Sequence, residues 1–109
     1  MMKGNMGGMM KQIQKLQSDM ERVQNELGNK TVSAESGGGM VKAVANGKKE
    51  IVSVEIEQEV INAGDKEMLE DLIVAAVNKA LEAAGKLAED ELSAVTKGVI
   101  PPGFNIPGF

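Results

Sequence analysis

The side chains that could do chemistry in this chain are mainly cationic, and their positions favour binding of a polyanion over catalysis. Lys3, Lys11 and Lys15 all precede the first acidic residue, Asp19, so positive charge at this end is not offset along the chain. On a helix, Lys11 and Lys15 share one face and could neutralise neighbouring phosphates together. The residues that we predict to contact the polyanion are Lys3, Lys11, Lys15, Arg22, Lys42, Lys48 and Lys49.

Catalytic and metal-binding chemistry lacks its usual residues. The chain contains no Cys and no His, which excludes thiolate or imidazole metal sites, Cys nucleophiles and Ser-His catalysis. Glu55 and Glu57 lie on one predicted strand face, but no third ligand type accompanies them, so we interpret them as part of a solvated face. We therefore predict no catalytic residue, no metal ligand, no cofactor and no small-molecule substrate.

The glycine run Gly37-Gly38-Gly39 is a further candidate for chemistry. Such a run cradles phosphate when a helix begins directly behind it. Here an alternating pattern typical of a strand follows instead. We interpret the run as a bend or bulge between two strands.

A three-stranded antiparallel meander is the predicted framework for these residues. Apolar residues alternate from Thr31 to Glu35, from Met40 to Ala45 and from Ile51 to Glu57. Asn46-Gly47 predicts a tight hairpin, because Asn and Gly adopt positive φ at low cost. The apolar face of the last two strands is expected to comprise Val41, Ala43, Ala45, Val52, Val54 and Ile56.

The first of two predicted helices runs from Met9 to Leu27 and stops at Gly28-Asn29. Residues 1–8 are rich in Gly and Met and have no period, so we expect a mobile arm. The helix carries an apolar heptad stripe made of Met9, Ile13, Leu16, Met20, Val23 and Leu27.

The second predicted helix runs from Lys66 to Lys97. Asp65 precedes it, and its carboxylate can accept hydrogen bonds from the first amides of the helix. Residues 99–109, which are rich in Pro and Gly, are expected to form an extended tail.

These elements predict a single α+β domain over residues 1–109, without a membrane span or a signal-type apolar block, in a cytoplasmic compartment. A helix of this length spans about 48 Å and a seven-residue strand about 23 Å, so the sheet cannot cover both helices. We expect a second copy to bury the surplus apolar surface in a homodimer. The predicted interface residues are Ile13, Leu16, Met20, Leu72, Ile73 and Ala76.

Three blocks in this order resemble the YbaB/EbfC family of bacterial nucleoid-associated proteins. They are Ser36 to Lys42 with Asn46-Gly47, Asp65 to Ala76, and Pro101 to Phe104. The resemblance implies an α-β-β-β-α protomer, a tweezer-like homodimer and a cytoplasmic, nucleoid location. It also implies DNA binding through the projecting helical ends that alters DNA conformation, with no cofactor and no catalysis. Glu57-Gln58 departs from the Asp-Pro that this family often has there.

Two functions remain open on these grounds. The first is non-enzymatic binding of double-stranded DNA by a homodimer, with roles in nucleoid organisation and gene regulation. The alternative is a dimeric protein-interaction module that uses the Met-rich first helix and the Pro/Gly/Phe tail. Affinity for DNA that falls steeply with salt concentration would distinguish the first from the second.

Overall fold

The computed structural model of this chain describes residues 2–96, with side chains described from residue 7 onward. Residues 97–109, which include the predicted tail, lie outside the described part, as does the side chain of Lys3. The elements are α1 (Met2–Leu27), β1 (Thr31–Ser36), β2 (Val41–Asn46), β3 (Ile51–Ile56), α2 (Gln58–Asn62) and α3 (Lys66–Thr96).

The three strands form one antiparallel sheet in the order β1-β2-β3, as the alternating pattern predicts. The register places Val41 opposite Ile56 and Ala43 opposite Val54, which confirms the predicted apolar face at these positions. At the start of β3 the register shifts, because Ala45 pairs with Ile51 while Val44 pairs with Ser53, so the regular alternation predicted from Ile51 to Glu57 is interrupted. An extra residue in β3 forms a β-bulge there, and a bulge interrupts the two-residue period on which the prediction depends.

The β2–β3 turn is a hairpin, as predicted, but its geometry differs from the predicted one. Lys49 carries the positive φ, at 63°, and Gly47 is not among the described residues with positive φ. The Asn46 side chain accepts hydrogen bonds from the amides of Lys48 and Glu50, and the Asn46 amide donates to the Glu50 carbonyl. The loop is thus one residue longer than a two-residue turn, with a residue in the left-handed region at its end.

Gly47 is needed for a close approach to α1. Its amide donates to the carbonyls of Leu27 and Lys30 at 2.8 and 3.0 Å. A Cβ atom at this position would lie 2.6 Å from Leu27 Cδ2 and 2.8 Å from the Leu27 carbonyl oxygen. The glycine therefore lets the hairpin dock on the C-terminal end of α1, where helix carbonyls need donors.

The core lies between the sheet and α3. Helix α3 packs mainly over β1 and β2 and makes few contacts with β3. Alanines on α3 allow this close approach, and Ser36 at the end of β1 donates a 2.6 Å hydrogen bond to the Leu72 carbonyl. The fully buried core residues are Val41, Ala43, Ala45, Ala76, Ala80 and Ala84.

The start of α1 differs from the predicted one. The helix begins at Met2 instead of Met9 and includes Gly7 and Gly8. Once a helix is nucleated, each further residue adds a hydrogen bond, so glycines that cost about 1 kcal/mol each can still extend it. A prediction from apolar periodicity misses Gly7 and Gly8, because glycine contributes no apolar side chain to the pattern.

The exposure of the heptad stripe on α1 falls from its N-terminal to its C-terminal end. Met9 and Ile13 are 61 % and 50 % exposed, whereas Val23 and Leu27 are 4 % and 3 % exposed. Leu16 and Met20 are half-buried between them. Among the described residues, the C-terminal half of α1 is thus the anchored part, and it packs against α3.

Helix α3 begins at Lys66, as predicted, and continues to Thr96 at the end of the described residues. The Asp65 carboxylate accepts a 3.0 Å hydrogen bond from the Met68 amide, which confirms the predicted cap. The short helix α2 was not predicted. Its five residues, Gln58–Asn62, are too few to show a helical period, and Val60 is its buried residue.

Candidate nucleic-acid interface

The first half of α1 carries two of the predicted cations on an exposed polar face. Lys11 and Lys15 lie one helical turn apart at exposed positions. Neither forms an ion pair with a carboxylate of the described residues. Asp19, the nearest acid along the chain, binds Arg22 instead. Both ammonium groups are therefore available to an external anion.

Arg22 extends the same face. It follows Lys11 by 11 residues, which is close to three full turns of an α-helix. Its guanidinium lies 3.3 Å from Glu26 Oε1 and 3.8 Å from Asp19 Oδ1, and the side chain is 58 % exposed. A phosphate at Arg22 would compete with two carboxylates, so this cation is less available than Lys11 or Lys15.

Lys42 lies on the sheet, away from α1. Its ammonium group pairs with Glu55 across the β2–β3 ladder at 3.7 Å. The two side chains are 41 % and 68 % exposed, so the attraction is weak and screened by solvent. The Lys42 ammonium group could bind an external anion instead. It would do so alone, because Lys42 is the one cation of β2 and β3.

Lys48 and Lys49 occupy the β2–β3 turn, which the structure places beside both long helices. Lys48 lies over Gly28, where a Cβ atom would be 3.1 Å from Lys48 Cε. A cation is favourable there because a helix C-terminus carries partial negative charge. Lys49 lies over Gly85 and shares a surface depression with three acids of α3, which are Glu82, Glu89 and Asp90.

The structure thus divides the predicted cations into separate groups. Lys11, Lys15 and Arg22 lie together on one face of α1, which we call the basic face. Lys48 and Lys49 lie together at the other end of the helix, about 18 Å along its axis from Lys15. Lys42 stands apart on the sheet, and Lys3 lies outside the described side chains.

Two uncharged residues on the basic face were missed by the sequence analysis. Gln14 and Ser18 are exposed and lie between Lys11 and Arg22 on the same side of α1. Amide and hydroxyl groups donate hydrogen bonds to phosphate oxygens in many DNA complexes. The spacing of Lys11 and Arg22, about three helical turns, could have revealed these two residues, because Gln14 and Ser18 fall between the two cations on the same side of the helix.

Two other kinds of site find no support within residues 2–96. No cluster of three acidic side chains is arranged there to hold a metal ion. No helix in that range combines the length and the apolar character that crossing a bilayer requires.

Comparisons with known proteins agree with this geometry. The model of the YbaB/EbfC DNA-binding family matches residues 2–99. A nucleoid-associated protein of Pelotomaculum thermopropionicum is 53 % identical over 104 residues, covering 95 % of this chain and 99 % of the relative. A nucleoid-associated protein of Desulforamulus reducens is 49 % identical over 109 residues, covering 100 % and 99 %.

A solved structure supports the fold independently. The crystal structure of an uncharacterized Helicobacter pylori protein matches with a TM-score of 0.65 at 22 % identity. The match covers 78 % of this chain and 86 % of that chain. Because the family model spans almost all of the chain and the relatives match end to end, this chain belongs to the YbaB/EbfC DNA-binding family.

Proposed function

We propose that this chain is a nucleoid-associated protein that binds double-stranded DNA through the basic face of α1 and acts without catalysis. The observation that carries the proposal is the pair Lys11 and Lys15, exposed and without a carboxylate partner among the described residues. Membership of a DNA-binding family and relatives named nucleoid-associated proteins support the same function.

The net charge of −4 does not oppose this proposal. Charges interact strongly only within a Debye length, which is about 8 to 10 Å at physiological salt. Lys11 and Lys15 precede the first acid of the chain, and neither pairs with a carboxylate of the described residues. The charge near the contact, and not the net charge of the chain, therefore determines the attraction to a phosphate.

The binding that we propose has modest sequence preference. Lysines on an exposed helix face contact phosphates as point charges, and phosphates carry no sequence information. Bidentate recognition of guanine generally uses Arg, and the one Arg of the chain is held by Asp19 and Glu26. Affinity should therefore derive mainly from the release of counterions.

We also propose that the chain acts as a homodimer through an apolar surface that α3 leaves uncovered. On β3, Val54 points to the core side opposite Ala43 yet is 39 % exposed, and Val52 is 58 % exposed. We call Val52 and Val54 the β3 surface.

The β3 surface suits a second copy better than the α3 residues that the sequence analysis assigned to the interface. Ala76 has no exposed area, and Leu72 and Ile73 pack against the core of the same chain. Those three residues therefore have less surface to offer a partner than Val52 and Val54. Leu16 and Met20 on α1 are half-buried. Their predicted part in the dimer interface, as a second contact, stays a prediction.

A salt titration tests the proposed function. The affinity for a short labelled duplex, measured by fluorescence anisotropy, should fall linearly on a log–log scale with salt concentration. The slope should be similar for duplexes of unrelated sequence. Absence of binding at low salt would contradict the proposal and would favour the protein-interaction module instead.

A further inference from the structure

The outer edge of strand β3 is open among the described residues. The sheet has the order β1-β2-β3, so β3 pairs with β2 on one side and with no described strand on the other. Apart from the ladder with β2, no hydrogen bond between described residues involves Ile51–Ile56. An open strand edge carries unpaired amide and carbonyl groups that another strand can bind.

The other edge strand, β1, is better protected. Helix α3 packs mainly over β1 and β2 and makes few contacts with β3. The Lys79 ammonium also donates a hydrogen bond to the Glu35 carbonyl of β1 at 3.5 Å. Lysine, proline and covering elements commonly prevent pairing at a sheet edge, and β3 contains neither Lys nor Pro. Of the two edges, β3 is therefore the one that can accept another strand.

The ladder with β2 determines which backbone groups of β3 point outward. The Glu57 amide donates to the Met40 carbonyl at 2.9 Å, directly after the end of the ladder and in the same register. In an antiparallel pair of strands, residues that bond to the neighbour alternate with residues that do not. Glu55 therefore bonds to β2, whereas Val54 and Ile56 direct their amide and carbonyl groups to the open edge.

The open edge lies beside exposed apolar side chains. Val52 and Val54 are 58 % and 39 % exposed. Strand addition uses this combination, because backbone hydrogen bonds supply affinity and side chains supply specificity. A second copy of β3 offers the same open groups and the same apolar side chains, so it matches both features at once. Two identical strands related by a two-fold axis are self-complementary in this way.

We propose that β3 pairs antiparallel with β3 of a second copy, which joins two three-stranded sheets into one sheet of six strands. The pairing rests on the proposed homodimer and specifies how its two copies meet. A two-fold axis at Val54 makes Val54 and its counterpart in the second copy a hydrogen-bonded pair. Val52 of each copy then lies opposite Ile56 of the other, so that apolar side chains meet across the new ladder. The polar residues Ser53 and Glu55 stay on the solvent side of the joined sheet.

Amide hydrogen exchange tests the pairing in the full-length chain, with sedimentation recording the oligomeric state of the same samples. Residue-resolved exchange rates are measured by NMR for the amides of Val54 and Ile56, which point to the open edge. The Glu55 amide bonds to β2 within each copy and serves as the internal control. In a dimer joined through β3, the Val54 and Ile56 amides should exchange as slowly as the Glu55 amide.

A pair of substitutions separates the backbone of Val54 from its side chain. Val54→Pro removes the outward amide, which makes no hydrogen bond within the described chain, so the fold should tolerate it. Val54→Ala is the matched control, because it shortens the side chain and keeps the amide. Val54→Pro should dimerise about tenfold more weakly than Val54→Ala, or weaker still, since each dimer loses two hydrogen bonds. Circular dichroism checks the fold of both variants, and if Val54→Pro loses helix content, the exchange rates of the unmodified chain decide.

Three results would contradict the pairing, and they differ in what they leave standing. A dimer in which the Val54 and Ile56 amides exchange about tenfold faster than the Glu55 amide would overturn the pairing and leave the homodimer intact. Slow exchange of these amides in a sample that sediments as a monomer would also overturn it, since the same chain would then cover the edge. A chain that stays monomeric at all concentrations would contradict both the homodimer and the pairing.

Discussion

Lys11 and Lys15 have no carboxylate partner among the described residues, whereas Arg22 on the same helix has two. Arg22, Lys30 and Lys42 each contact an acid, and Lys48 lies at the negative end of α1. An exposed ion pair contributes little to stability, about 0 to 1 kcal/mol. It nevertheless reduces the attraction of its cation for a phosphate. We therefore expect cations without a carboxylate partner to bind phosphate more strongly than paired ones.

Removing the carboxylate closest to Arg22 should therefore strengthen DNA binding. Glu26→Gln frees the guanidinium from its 3.3 Å partner. We expect affinity to rise a few-fold and the salt slope to grow by about one unit per Arg that reaches a phosphate. Glu21→Gln is the matched control, because it removes the same charge from α1 at a residue that pairs with no described cation. Equal effects of the two substitutions would show that only net charge matters.

Gly47 should be intolerant of a side chain. Gly47→Ala would place a Cβ atom 2.6 Å from Leu27 Cδ2 and 2.8 Å from a backbone oxygen that cannot move freely. We expect the free energy of unfolding to fall by about 1 to 3 kcal/mol, measured by urea denaturation. Gly8→Ala, with no atom within 4 Å of the new methyl group, should not destabilise the chain. A neutral Gly47→Ala would mean that the hairpin does not dock on α1.

The elements with a clear period were predictable, and those that depend on tertiary contacts were not. The strands, their antiparallel order and α3 follow from alternation and helical spacing. The β3 bulge, the geometry of the β2–β3 turn and α2 escaped prediction. The turn geometry depends on how the hairpin fits against α1, the bulge interrupts the alternating period, and α2 is too short to show a helical period.

The candidate site was predictable to a similar degree. The position of Lys11 and Lys15 before the first acid is visible in the sequence, as is the spacing of Arg22 from Asp19 and Glu26. The contacts of Lys48 with α1 and of Lys49 with α3 join residues far apart in the chain. No local pattern encodes such contacts.

Helix α3 should tolerate large side chains only away from the sheet. Ala80 is fully buried against β1 and β2, so Ala80→Leu should overpack the core and lower the free energy of unfolding by about 1 to 3 kcal/mol. Ala94→Leu is the control, because Ala94 is exposed on the same helix. Thermal unfolding followed by circular dichroism measures both. A stability of Ala80→Leu equal to that of Ala94→Leu would contradict the packing of α3 on the sheet.

The protein as a whole combines a small packed body with a long projecting helix. The body is formed by the sheet and the part of α3 that covers β1 and β2, and it leaves the β3 surface open. Helix α1 carries the basic face, and its N-terminal part, where Met9 and Ile13 are exposed, lies outside the packed body of the described residues. A dimer through the β3 surface would present two such helices and so double the number of phosphate contacts.

The dimer should depend on Val54. Val54→Glu would bury an unpaired charge between two copies, which costs several kcal/mol, and should yield a folded monomer. Ser53→Glu, on the opposite side of β3, should leave the oligomeric state unchanged. Sedimentation at micromolar concentration distinguishes the two states. A dimer that persists in Val54→Glu would place the interface elsewhere, with Leu16 and Met20 the next residues to substitute.

If Lys11 and Lys15 neutralise DNA phosphates as proposed, the salt dependence of DNA binding should depend on both residues. The double variant Lys11→Gln with Lys15→Gln removes two contacts per protomer and about four per dimer. At roughly 0.9 units per phosphate, the slope of log affinity against log salt should decrease by about 3 to 4 units, nearly equally for all sequences. Lys66→Gln with Lys86→Gln removes the same charge from α3, where both lysines are exposed, and should leave the slope nearly unchanged. An unchanged slope for the Lys11 and Lys15 variant, with the dimer intact, would show that these lysines do not contact phosphate, and Lys42, Lys48 and Lys49 would be the next residues to substitute.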